Sequence, residues 1–322
     1  MALRSVPHLL DLDAATYRRH PLHAGERDWS ETNCYTDVWV ELLHAWGSDP
    51  LAVGAFSLAC DFEGTQWTFF KPPAEDLRDL YGVLVGEMNV WLPVFDHVAE
   101  ELSLGRLLTV EVDAWALPDT AGTSYRTEHV KTTIVPQALD HAARRLGYFH
   151  AQSYYDLQGD DFDALVAPAP LPPYVELIRL PDDRPEAADL VGRSLACLRR
   201  HLTHLPATNP VSRMADRVDE ELPRLAGADP SRYHLFAFAT FRQCGAGAEM
   251  AASYLDWLAG ETGDDLSGPA TDLRRLGTGA KSAQFLLARA ARGRSVDLAT
   301  PLAAMAEAWD RAIGAVVSRY GG

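Results

Sequence analysis

A chain of 322 residues that is 47% hydrophobic and 23% charged has the make-up of a globular protein of one or two domains with a sizeable core. Its net charge of −16 argues against non-specific binding to nucleic acid, because phosphate contacts need a basic face. No apolar run approaches the roughly 20 residues of a membrane span, and Arg4, Asp11, Asp13, Arg18 and Arg19 interrupt the opening stretch, so a soluble cytoplasmic protein is expected.

Residues up to Asp28 read as an irregular arm. His8, His20 and His23 lack metal-ligand spacing and are expected to be exposed loop histidines. Ser30, Glu31, Thr32 and Asn33 are cap-forming or polar residues ahead of Cys34, and a helix is predicted from Cys34 to Trp46, stopped by Gly47. It is apolar nearly all round, leaving one polar stripe of Asp37, Glu41 and His44. From Leu51 to Pro73 the pattern predicts two strands about a turn at Glu63-Gly64, the second spanning Gln66 to Phe70. A helix over Glu75 to Leu84, a short strand over Met88 to Leu92 and a helix over Pro93 to Leu104 follow, the last ended by Gly105.

Leu107 to Leu117 alternates as a strand, with Val110, Val112, Ala114 and Ala116 on one face and Glu111, Asp113 and Trp115 on the other. Glu128 to Val135 is a second strand, which His129 opens; a helical insert over Ala138 to Arg145 and a strand over Leu146 to His150 come next. Pro168, Pro170, Pro172 and Pro173 suit a semi-rigid linker. Beyond them only helices are predicted, including the amphipathic runs Leu190, Val191, Leu195, Leu198, Leu202 and Leu302, Met305, Trp309, Ile313, Val316, Tyr320. The expected organisation is therefore an α+β domain over 1–167 and an all-α domain over 174–322.

Cys34, Cys60, Cys197 and Cys244 are too far apart for a Cys-x-x-Cys metal site and read as free thiols. Cys34 differs from the others in opening a helix, where unpaired amides and the helix dipole favour a thiolate. Acyl transfer through a cysteine needs a base, a group that orients the base and donors for an oxyanion. His129 is the candidate base, His150, Asp113 and Asp156 are candidate orienting groups, and Asn33 or Asp28 stand near the Cys34 amide for the oxyanion. Gln66 and Trp67 are candidates to line a substrate cleft. The basic window Arg274, Arg275, Lys281, Arg289, Arg292 and Arg294 reads as a solvated helix face. Gly245-Ala246-Gly247 follows no strand, so a helix-breaking or close-packing role rather than nucleotide binding is expected there, and no cofactor or metal is implied.

Glu31-Thr32-Asn33-Cys34-Tyr35, Asp61-Phe62-Glu63-Gly64, Gln66 to Lys71, Val110 to Asp113, Leu117 to Thr120, His129 to Ile134 and Leu146 to His150 together resemble a bacterial family catalogued as domain of unknown function 1839. Phe241-Arg242-Gln243, Glu249 to Ala252 and Lys281 to Phe285 extend the resemblance over nearly the whole chain. More distantly, the layout is similar to papain-like acyltransferases of the butirosin-biosynthesis protein H type. That resemblance implies a papain-like cysteine domain followed by a helical domain. The implied nucleophile is Cys34 and the implied base His129. The implied partners are an acyl or aminoacyl carrier protein, which brings phosphopantetheine with it, and a small-molecule amine. The chain departs from the pattern where papain-like enzymes carry Asp or Asn on the strand after the histidine; the nearest residue there is His150. Hydrolysis of the same bond by water and non-catalytic binding of a carrier protein are the competing expectations.

Overall fold

The computed structural model describes residues 9–321 apart from 26, 30, 169, 170, 182–184, 186, 226 and 228. Ser30, His8 and Pro170 of the sequence reading lie outside the described residues. The chain separates into two compact units that are discontinuous in sequence. The first comprises the chain up to Gly25, Asn33–Pro50 and Pro73–Ala187; the second comprises Glu26–Thr32, Leu51–Pro72 and Ala188–Gly322.

The first unit is α+β. Its elements in chain order are α1 (Pro21–Ala24), α2 (Cys34–Ala45), α3 (Ala74–Tyr81), β1 (Leu84–Glu87), α4 (Val94–Ser103), β2 (Leu107–Asp113), β3 (Lys131–Asp140), β4 (Arg145–His150), β5 (Ser153–Gln158), α5 (Asp160–Val166) and β6 (Val175–Arg179). The strands form one sheet in the order β1-β6-β2-β3-β4-β5, and every neighbouring pair is antiparallel. Register fixes which side chains share a face. Thr109 pairs with Glu176 and Val135 with Phe149, while Val110 pairs with Ile134 and Ile134 with His150.

Helix α2 packs on β3 and β4. Its N-terminus forms because Asn33 Oδ1 accepts the Thr36 amide at 2.9 Å, satisfying an amide that has no partner within the helix. At the sheet, Tyr35 donates to Glu176 Oε2 at 2.6 Å, and Thr109 donates to the same oxygen at 3.1 Å. Of the three members of the polar stripe of α2, His44 is partly exposed and the other two are buried: Asp37 and Glu41 are 1% and 0% accessible. Their cation is His23, whose Nδ1 lies 2.5 Å from Glu41 and whose Nε2 lies 3.4 Å from Asp37. Tyr17 donates to Glu41 at 2.6 Å and packs its ring edge-on against Phe149. His20 and His23 are therefore buried, contrary to the expectation of loop exposure, because two buried carboxylates must be matched by donors. Burial pushes His23 down, but the bonds to Asp37 and Glu41 outweigh it and raise its pKa to about 9.

Several predicted elements shift. The helix after Pro73 stops at Tyr81 because Gly82 turns left-handed at φ 71°, and the strand begins at Leu84, so Met88 to Leu92 is not a strand. The helical insert expected over Ala138 to Arg145 is absent: β3 continues to Asp140, with a register shift between Pro136 and Ala138 where the proline has no ladder donor. Strand β2 ends at Asp113 and continues as a 3-10 turn over Ala114–Ala116, and β3 begins at Lys131, so His129 stands in the loop ahead of that strand instead of opening it. The stretch beyond the prolines is not all helical, since β6 returns to the sheet between β1 and β2.

The second unit is helical: α6 (Leu190–Leu202), α7 (Pro210–Leu225), α8 (Pro230–Ala237), a π turn over Phe238–Arg242, α9 (Gln243–Thr262), α10 (Ser267–Ala291) and α11 (Ala299–Tyr320). The two strands expected around Glu63-Gly64 are not formed. Pro50–Ala59 is a 3-10 helix, and only a single bridge joins Phe62 to Trp67; short apolar runs do not distinguish strand from buried helix by periodicity. Gly245 faces Trp29, where a Cβ would meet the indole nitrogen at 2.3 Å, so only glycine admits the ring. The Trp29 indole donates to the Gly277 carbonyl at 2.9 Å. Among the described residues, no helix is long and apolar enough to cross a membrane.

Candidate functional site

Cys34 is the first residue of α2 and is partly exposed, whereas Cys197 and Cys244 are buried. Asn33 is committed as the helix cap, its side-chain oxygen occupied by the Thr36 amide. Among the described residues, no hydrogen bond joins the Cys34 thiol to His129 or His150.

At the end of β2, Asp113 and His129 form a pair with Oδ2 to Nδ1 at 2.5 Å. The strand directs Asp113 to the face carrying Thr109 and Glu111, the face on which Tyr35 of α2 meets Glu176. Asp113 Oδ1 accepts the Trp115 amide at 3.0 Å, and the His129 ring stacks on Trp115 with centroids 5.7 Å apart and planes 13° from parallel. The Arg126 guanidinium lies 4.3 Å from the centroid of the same indole. Partial burial raises the Asp113 pKa, but the bond from His129 and the amides of Trp115 and Val130 prevail, holding the carboxyl below the usual carboxylate range. A carboxylate only accepts, so in the neutral ring this bond places the imidazole proton on Nδ1 and the lone pair on Nε2. Beside the pair, Lys131 Nζ meets Glu111 Oε1 at 2.5 Å.

These four polar side chains stand at one end of a cleft of about 680 Å³ whose remaining walls are mostly apolar, among them Leu92, Val94, Phe95, Ala164 and Leu171. Cys34 is not among the residues that line it.

His150 lies on the other side of the sheet, paired with Ile134 and therefore facing with Thr132. It is buried, with Nδ1 2.5 Å from Asp119 Oδ2 and Nε2 2.7 Å from Thr132 Oγ1. Tyr148 donates to the second Asp119 oxygen at 2.5 Å. Both ring nitrogens of His150 are thus occupied within a closed network, and His150 is not brought to His129. Asp156 is used by a surface pair with Arg145 at 2.6 Å. Gln66, Trp67 and Asp28 belong to the second unit. There Trp67 is buried with its indole nitrogen 3.0 Å from Met214 Sδ, Gln66 is exposed, and Asp28 Oδ2 accepts from Thr278 at 2.6 Å. The residues around the Asp113–His129 pair that the sequence reading did not select are Trp115, Glu111 and Lys131, and in the His150 network it did not select Asp119. The alternation of β2 already placed Glu111 and Asp113 on one face, so that signal was present for two of the four members of the cleft's polar end.

Family models match residues 18–180 as the DUF1839 N-terminal domain and residues 187–318 as the DUF1839 C-terminal domain. The chain belongs to the DUF1839 family. In this DUF1839 protein the first match covers α2 and the entire sheet, including Cys34, Asp113, His129 and His150. The second covers α6 to most of α11. No curated protein matches the chain.

Proposed function

We propose that this DUF1839 protein is a cysteine-dependent acyltransferase of papain-like build. It moves an acyl or aminoacyl group from a carrier-protein thioester to an amine, in the cytoplasm and in specialised metabolism. The observation that carries the reading is the Asp113–His129 pair, set at the end of the sheet and on the face that packs α2, whose first residue is the partly exposed Cys34.

In this mechanism His129 Nε2 takes the thiol proton of Cys34. The sulfur attacks the thioester carbonyl, the bond to the phosphopantetheine sulfur breaks, and His129 returns the proton to that leaving thiol. The amine then attacks the Cys34 thioester, a C–N bond replaces the C–S bond, and the amine proton passes through His129 to the Cys34 sulfur. Asp113 holds the imidazole in the required tautomer and stabilises its cation. The carrier supplies phosphopantetheine, so the chain itself needs no bound cofactor. Cys34 must approach Nε2 for the first step; catalytic hydrogen bonds often tighten only in the substrate complex.

The test is to load a carrier protein with an amino acid, mix it with this protein and measure intact mass. The expected result is an acyl adduct present in the wild type and absent in Cys34→Ala, discharged faster when amine is added. Discharge at the same rate without amine would make the protein a hydrolase. No adduct and no transfer with any acceptor would end the reading. The missing Cys34–His129 bond favours a second reading, a carrier-binding protein without chemistry. That reading gains if Cys34→Ala keeps the biological activity while charge reversal at Arg289 and Arg292 abolishes it.

A further inference from the structure

The cleft at the end of β2 has the size and chemistry of a small-molecule site. About 680 Å³ lies within the range of pockets that enclose drug-sized ligands. One of its walls is preformed: the backbone amides of Trp91 and Leu92 both donate to Nε2 of the buried His97 at 3.1 Å, and the His97 ring meets Trp91 edge-on at 5.6 Å. That double anchor fixes the segment from which Val90 and Leu92 line the cleft. Exposed apolar side chains concentrate around it. Leu171 is 78% and Val130 42% accessible among the lining residues, and Trp91, between two lining residues, is 75% accessible.

The polar end decides the class of ligand. Glu111 and Asp113 contribute two carboxylates and Lys131 one ammonium, so with His129 neutral the end of the cleft carries one net negative charge. Lys131 is already paired with Glu111, so the net charge that a head group meets is that of the Asp113 carboxylate, which attracts a cation and repels an anion. His129 Nε2, the ring nitrogen not engaged by Asp113, is the acceptor available to such a head group.

We infer that this cleft binds the acceptor of the proposed transfer, and that the acceptor is a primary amine carrying an extended apolar body. The body lies along Leu92, Val94, Phe95 and Leu171, and the ammonium sits at Asp113 and Glu111. Transfer of one ammonium proton to His129 Nε2 and on to solvent leaves the nitrogen with the lone pair that attack on a thioester requires, and leaves Nε2 able to relay the second proton to the Cys34 sulfur. The inference rests on the acyltransferase reading for the word acceptor, and on the cleft alone for the binding itself.

The experiment is calorimetric titration of the full-length protein, with no carrier protein present, using n-alkylamines from propylamine to octylamine and the n-alkyl carboxylates and alcohols of the same lengths. Affinity for the amines should rise about fourfold per added methylene while the chain still lies in the cleft. At equal length, amines should bind at least about tenfold more tightly than carboxylates, an advantage of the size expected for one partly buried charge contact. Asp113→Asn, a change at a half-exposed side chain, should shrink that preference several-fold while leaving the chain-length slope in place. Absence of amine binding, a slope of zero with length, or carboxylates binding as well as amines would each overturn the inference. Because the titration involves neither carrier nor thioester, it can fail while a Cys34 adduct forms, or succeed while none does, so the two readings fall separately.

Discussion

The first unit holds two histidine–aspartate pairs of the same 2.5 Å length, His129–Asp113 and His150–Asp119, and they do opposite things. At His129 the aspartate takes one nitrogen and solvent reaches the other, with the imidazole side chain 77% accessible beside an apolar cleft. At His150 the aspartate takes one nitrogen, Thr132 takes the second, and Tyr148 takes the remaining carboxylate oxygen, all within the buried side of the sheet. The difference teaches that a carboxylate behind a histidine does not make a base. A base also needs an uncommitted nitrogen facing a space that a substrate can enter.

The comparison would break most visibly at His129. His129→Ala should lower formation of the Cys34 acyl adduct by about 10²–10⁴-fold, the usual range for loss of a general base, with the thermal midpoint unchanged. Equal loss of midpoint in a melting curve would show instead that His129 is structural.

The reciprocal change is Asp119→Ala. It strands His150 Nδ1 and the Tyr148 hydroxyl in the interior and should cost about 3–5 kcal/mol in urea denaturation. A cost under about 1 kcal/mol would mean that the network is not closed.

The buried His23 cluster of α2 gives an independent stability measure of what burial does to a histidine paired with carboxylates. Its pKa is raised to about 9, so its contribution is fully present below the unfolded value near 6.5 and is lost as pH rises through 9. The shift corresponds to about 3 kcal/mol. Stability measured by denaturant between pH 6 and 10 should therefore fall in the wild type, and in a His23→Gln variant it should start lower and lack that part of the decline.

Asp113→Asn should have the smallest effect on stability, within about 1 kcal/mol, since the pair is half exposed and screened by solvent. Its signature is elsewhere. By nuclear magnetic resonance the ring nitrogens of His129 should show the Nδ1–H tautomer losing its dominance once the carboxylate that accepts that proton is gone. The Asp113 carboxyl sits below the usual range, so whatever stability it contributes is present above about pH 4 and disappears as pH falls through its folded value; the variant should differ from wild type only above that window.

Much of this was legible in the residues. The α2 helix followed from Asn33 as a cap and an unbroken apolar run, and β2 from alternation, which also set Glu111 and Asp113 on one face, whereas Trp115, expected on that strand, lies in the 3-10 turn beyond it. Of the two roles expected at Gly245, close packing met its partner in the Trp29 indole, while helix-breaking did not hold, since α9 runs through both glycines. What did not follow were relations between distant segments. Nothing local reveals that His23 and Tyr17 cross back to Glu41, or that Asp119, in a 3-10 turn after Pro118, reaches His150. Strand β6 was missed because it lies close after a proline-rich stretch and has only five residues, too few for periodicity to register.

By itself, then, the sequence determined element types wherever a cap or a sustained period was present, the family, and the set of side chains able to do acid–base chemistry. Only the tertiary structure decided which of those side chains are free to do it. A side chain's chemistry is intrinsic to its type, but the occupancy of its donor and acceptor sites depends on which partners the fold brings within hydrogen-bonding distance. For His129 and His150, one residue type in one sheet, that occupancy separates a base at the edge of a cleft from a fastening inside the wall.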